Sequence, residues 1–129
     1  MSLLSGGCLK GESCPNMGFE RFLNVNKIVI SDNHDNELRT IEDKETILGI
    51  ASFALDHSSD WEIPWYGTPV ALVRANFFID DKFVGDFGVG NNFLTAQGCR
   101  AFLSRQVSPT ERSEIMRLFA IFDPYVSSQ

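Results

Sequence analysis

The sequence predicts an α+β fold: a two-layer sandwich in which an antiparallel sheet of about five strands packs against two helices, in the order β-β-α-β-β-β-α. Three observations predict it. Residues 70–89 alternate apolar and polar side chains on both sides of the tight polar turn Asp80-Asp81-Lys82, the pattern of a half-buried hairpin. Residues 43–55 instead repeat apolar residues with helical spacing. A second helix is announced by Ser108-Pro109-Thr110-Glu111, a capping box with proline at the first helical position. Helices segregated from an antiparallel meander make a layered α+β domain rather than a parallel α/β one.

Taken in order, residues 1–18 are rich in Gly, Ser, Cys and Pro without periodicity, and read as an arm or tether. A single globular domain is expected over residues 19–126. Lys27-Ile28-Val29-Ile30 is β-branched, and Leu38-Arg39-Thr40-Ile41 is its return strand across a polar turn. Asp43 is the N-cap of the first helix. Ile47, Ile50, Ala51 and Ala54 form its buried face, Leu48 and Leu55 widen that face, and the helix ends near His57. In the hairpin, Ala71, Val73, Ala75, Phe77 and Ile79 should face the core; Phe83, Gly85, Phe87 and Val89 should form one face of the return strand, and Val84, Asp86 and Gly88 the other. Phe93-Leu94 and Ala101–Ser104 are expected to give one more strand, joined through Thr95 to Cys99. In the last helix Ile115, Leu118, Phe119 and Phe122 give the buried stripe, and Asp123-Pro124 stops it.

The chain has 129 residues, 43% of them hydrophobic and eleven of them Phe, enough for one real core without metal support. Its net charge of −6 and its lack of any Lys/Arg run argue against nucleic acid and anionic membranes. A basic protein or a cationic ligand is the better expectation for a partner.

Gly85-Asp86-Phe87-Gly88-Val89-Gly90-Asn91-Asn92-Phe93 imitates a phosphate-binding loop. A dinucleotide fingerprint, however, needs its glycines at the end of a strand and opening a helix. Its third glycine position here is Phe93, and no helical pattern follows at once. No Lys-Ser/Thr follows the glycines, and D-F-G has meaning only inside a far longer kinase chain. The segment reads as a strand whose glycines permit twist, a bulge or close backbone approach.

Candidate chemistry is thin. Asp32 to Glu37 supplies oxygen ligands around His34, but the sixth position of a calcium loop, where glycine is needed, is Glu37. A hairpin turn is the preferred reading. His57 suits a helix C-terminus. Asp80-Asp81 is a solvated turn pair. No nucleophile elbow occurs, and no metal ligand set or cofactor is expected. The strongest candidate for recognition is Trp61-Glu62-Ile63-Pro64-Trp65-Tyr66-Gly67-Thr68-Pro69. It concentrates Trp61, Trp65 and Tyr66 between prolines that restrict the backbone. The plainer reading is a loop that folds its aromatics over the sheet end to close the core; Trp61 buried with Trp65 exposed satisfies both.

Leu4-Ser5-Gly6-Gly7-Cys8 is similar to the end of a bacterial lipoprotein signal, which makes Cys8 a candidate for acylation, although no complete signal peptide is read upstream of it. The alternative is a Gly/Ser leader with an incidental cysteine. With Cys8 lipidated, Cys14 and Cys99 remain as a possible disulfide pair; otherwise all three are free thiols. Further motifs are D-K-E-x-I (Asp43 to Ile47), W-x-x-P-W-x-G-T-P (Trp61 to Pro69), and Asn76-Phe77 followed by F-V-G-x-F-G-V-G-N-N-F (Phe83 to Phe93). On these the chain resembles small bacterial secreted or lipoprotein α+β domains. That resemblance implies a periplasmic or envelope location and brings no activity and no site residues. The leading expectation is therefore an envelope binding or inhibitor module, touching membrane only through a lipid anchor. A small hydrolase and a cytosolic interaction domain are the alternatives.

Overall fold

A computed structural model describes residues 15–64, 69–97 and 102–120. The fold is α+β. A 3-10 helix, Pro15–Asn24, leads into strands β1 (Lys27–Asp32) and β2 (Glu37–Ile41), helix α1 (Lys44–Asp56), strands β3 (Val73–Ile79), β4 (Lys82–Val89), β5 (Phe93–Gln97) and β6 (Phe102–Gln106), and helix α2 (Pro109–Phe119). The six strands form one open antiparallel sheet in the order β2-β1-β3-β4-β5-β6.

Local chemistry explains most boundaries. The Asp43 carboxylate accepts the Thr46 backbone N–H at 2.9 Å and caps α1. Ser108 and Glu111 complete the reciprocal capping box of α2, Ser108 Oγ accepting Glu111 N at 3.1 Å and Glu111 Oε1 accepting Ser108 N at 3.0 Å. In the β1–β2 turn, Asp32 Oδ1 accepts the N–H groups of His34 and Asn36 at 2.8 and 2.9 Å. These bonds, first of all the one from the Asn36 backbone, hold the Asp32 carboxyl below its usual range. The oxygens around His34 are therefore engaged in a turn. Asp80 and Asp81 both take positive φ, 49° and 69°, as a tight hairpin turn requires. They are tied down by Asn26 and Lys27 respectively, at 3.0 and 2.8 Å.

One face of the sheet carries the core. Ile28, Ile30, Val73, Ala75, Phe77, Phe87, Val89, Leu94 and Ala96 alternate along their strands and are buried. Against them pack Ile47, Ile50, Ala51, Phe53 and Ala54 of α1, Ile115, Met116 and Phe119 of α2, and Phe19 and Phe22 of the 3-10 helix. Phe22 stacks on Phe77 with ring centroids 3.8 Å apart.

The structure corrects three expectations. Among the described residues there are six strands where about five were expected: residues 93–97 and 102–106 are separate strands paired antiparallel. Thr95, expected in a connection, pairs instead with Gly88 on one side and Ser104 on the other. Second, Phe83 does not share the face of Gly85, Phe87 and Val89. A bulge opposite Phe77 and Phe78 inserts Val84, so the pairing steps from Phe77–Gly85 to Phe78–Phe83. That single extra residue reverses the facing of everything before it. Phe83 is 51% exposed and meets Phe78 edge-on at 5.8 Å. Third, β3 begins at Val73 rather than Val70. The 3-10 helix, which has no counterpart in the expected element order, also begins within the stretch read as an arm.

Candidate functional site

The chain leaves α1 at His57 and reaches the outer edge of β6 within five residues. Its course is fixed by a set of mutually dependent contacts. The Trp61 indole N–H donates to the His57 carbonyl at 2.7 Å. Its ring meets Phe19 and Phe87 edge-on, with centroids 5.7 and 6.0 Å away. Glu62 then forms one antiparallel bridge to β6, with Glu62 N to Ser104 O at 2.9 Å and Ser104 N to Glu62 O at 3.0 Å. The next outward-bonding position is Pro64, which has no N–H to donate, so the bridge cannot lengthen into a seventh strand. Arg105 secures the same turn from beneath, NH1 donating to Ser59 O at 3.1 Å.

The chain returns at a second fixed foot. Leu72 N donates to Val89 O at 2.9 Å, and the Ala71 methyl lies directly over Gly88. Gly88, Thr95, Ser104 and Glu62 are consecutive partners across the sheet, so the two feet stand about 14 Å apart at the usual strand spacing. Beside the feet are two large aliphatic side chains that the core does not use: Ile63 is 68% exposed and Val70 63%. Asp56, Asp60 and Glu62 are exposed around the first foot.

Of the residues singled out in the sequence, Trp61 is half-buried against the core. Trp65, Tyr66, Cys8, Cys14 and Cys99 lie outside the described residues. Sequence reasoning passed over Ile63 and Val70. Their signal was present in hindsight: aliphatic residues beside prolines, at the boundaries of a predicted loop. It also missed that His57 and Glu111 meet. His57 Nδ1 donates to Phe53 O at 2.7 Å, its ring stacks on Phe53 at 3.9 Å, and Nε2 lies 3.4 Å from Glu111 Oε2. The contact joins the end of α1 to the start of α2. With Nδ1 on a helix carbonyl and Glu111 in a cap, these groups brace the loop base rather than converge on open space.

Glu111 supports a first prediction. The Ser108 backbone N–H, then the Ser108 side chain, His57 and Arg105, hold its carboxyl below the usual 4.5 against a smaller effect of burial. A depressed folded value stabilises above the unfolded value, and the contribution is lost as pH falls through the folded one. Glu111→Gln, which can keep the capping bond but removes the charge at the helix N-terminus, should therefore cost about 0.5 kcal/mol at neutral pH. In urea titrations the gap between the two proteins should close as the pH falls below about 4.5.

Asp86, central in the glycine-rich stretch, lies in β4. Burial pushes its carboxyl up, opposed by Arg74, the Gln97 backbone N–H and Arg21. Among the described residues no group of three or more His, Cys, Asp or Glu is placed to hold a metal ion. Nor is any described helix long and apolar enough to cross a membrane. Compared with protein-family models, curated proteins and solved structures, the chain gives no significant match.

Proposed function

We propose that this chain is a binding module of a bacterial cell envelope, a two-layer α+β sandwich that engages a protein partner through residues 61–70. One observation carries the reading: Ile63 and Val70 are left exposed beside two feet that are each fixed by backbone hydrogen bonds. A loop anchored in this way loses little further freedom on binding, and exposed aliphatic side chains gain from being covered. Trp65 and Tyr66, in the same segment, are of the types that dominate binding energy at interfaces. The acidic rim of Asp56, Asp60 and Glu62, in a chain of net charge −6, suits a basic partner such as a hydrolase to be inhibited. In this reading Cys8 is the point of lipid attachment, and Cys14 and Cys99 form a disulfide in an oxidising compartment.

The test is site-specific photo-crosslinking in cells, with the reactive residue placed at 63, at 70 and, as a control, at the exposed Ser52 of α1. The expected result is an adduct of one common partner mass from 63 and 70 and none from 52. The reading is lost if neither loop position gives an adduct, or if position 52 gives the same one. An intact mass of protein recovered from membranes, unreduced, reads the cysteine assignments independently.

A further inference from the structure

A second feature lies at the other end of α1. Three of the described cations have carboxylate partners: Lys27 with Asp81 at 2.8 Å, Arg74 with Asp35 at 3.0 Å, and Arg105 with Glu111 at 3.9 Å. Arg39 and Arg117 form no ion pair among the described residues, although acidic residues outnumber basic ones 17 to 11 in the chain. Both line the same open groove, of about 500 Å³, between the start of α1 and the end of α2. That volume is within the range of small-molecule sites.

The groove is built for more than exposure. Arg39 is held in place by one N–H, NH1 donating to Phe119 O at 2.7 Å, and its other donors have no hydrogen-bond partner among the described residues. That bond also satisfies one of the carbonyls left open at the end of α2. Asp43, whose carboxylate feels the charge of Arg39, is engaged by both the N–H and the hydroxyl of Thr46. Gly49 and Leu118 add apolar surface to the groove lining, and a Cβ on Gly49 would make an ordinary contact with Leu118 Cδ2 at 3.4 Å. Glu45 is the one acidic lining residue, and it makes no ion pair with either arginine. A guanidinium presents parallel N–H donors that match a carboxylate or phosphate.

We propose that this groove binds a small oxyanion, a carboxylate or phosphate group on a compact apolar body, with Arg39 and Arg117 as its ligands and Leu118 beneath it. The site is independent of the 61–70 loop. The experiment is an amide NMR titration of the whole chain with inorganic phosphate and, separately, with hexanoate. Saturable shifts confined to Thr46, Gly49 and Ala120 are expected, with affinity on the order of millimolar for probes this small. Arg117→Gln should weaken binding about tenfold, the loss of hydrogen bonds to a charged group. Glu45→Gln should strengthen it about threefold by removing a like charge. Saturation by phosphate alone identifies a phosphate-bearing ligand, and saturation by hexanoate alone a carboxylate-bearing one. Shifts that never saturate with either probe, or an unchanged affinity in both Arg117→Gln and Glu45→Gln, would overturn the proposal. Arg39→Gln, which also removes the Phe119 bond, is not needed for the decision.

Discussion

Gly88→Ala should destabilise the protein by about 2–3 kcal/mol, an unusually large effect for one added methyl in a strand. A Cβ at this position would stand 2.3 Å from Thr95 Oγ1, 2.6 Å from the Ala71 Cβ and 3.2 Å from Arg74 Cγ. None of these neighbours yields cheaply. Thr95 is 2% exposed on the adjacent strand, and Ala71 is fixed by the bond from Leu72 to Val89. The added carbon must either turn Thr95 or lift the second foot of the 61–70 loop. Thr95→Ala should therefore recover part of the loss in the Gly88→Ala background, and Ala71→Gly a further part. Urea midpoints of the single and combined variants measure this coupling. A Gly88→Ala midpoint matching the parent would mean that the loop foot does not rest on β4.

Trp61→Ala should cost about 3 kcal/mol. Complete truncation of a buried aromatic costs roughly 3–5 kcal/mol, and this ring is half-buried. The loss has two parts. Phe19 and Phe87 lose an edge-on partner, and the His57 carbonyl loses its indole donor. Trp61→Phe separates them: it keeps a ring for Phe19 and Phe87 but removes the N–H, and should cost about 1 kcal/mol. Equal losses from Phe and Ala would place the whole effect in the hydrogen bond. A negligible loss from Ala would mean that Trp61 does not close the core.

The elements legible in the sequence are those whose signals are local. Asp43 and Ser108-Pro109-Glu111 state their helix starts within four residues, and Asp80-Asp81 states its turn within two. The alternation of residues 73–78 survives because their register against β1 is continuous, whereas Ala71, expected to face the core, lies before the strand and over Gly88 on the opposite face. What was not legible depends on partners distant in sequence. The bulge at Val84 shows only when β4 is laid against β3, so Phe83 was placed on the wrong face. Thr95-Ala96-Gln97 is neither strongly apolar nor alternating, and becomes strand because Gly88 and Ser104 pair with Thr95 from both sides. Among the described side chains of the 3-10 helix, Phe19 and Phe22 enter the core, too few to announce a period. At the candidate site, the aromatic content of the loop was plain in the sequence. The two feet were not, because Ser104 and Gly88, which hold them, are 42 and 17 residues away from Glu62 and Ala71.

In the proposed function the bases at Glu62 and Leu72 hold the fold, while the exposed Ile63 and Val70 beside them meet the partner, and the two roles are separable. The most direct measurement compares Ile63→Asp/Val70→Asp with the parent protein, in urea unfolding and in calorimetric titration against the partner captured by crosslinking. Both side chains are mostly exposed, so unfolding should change by less than about 0.5 kcal/mol. Binding should weaken at least tenfold, because each added carboxylate would be buried against an apolar contact. Unchanged affinity with unchanged stability would show that these residues are ordinary surface and that recognition lies elsewhere. A stability loss comparable to that of Trp61→Ala would show that they belong to the frame of the fold.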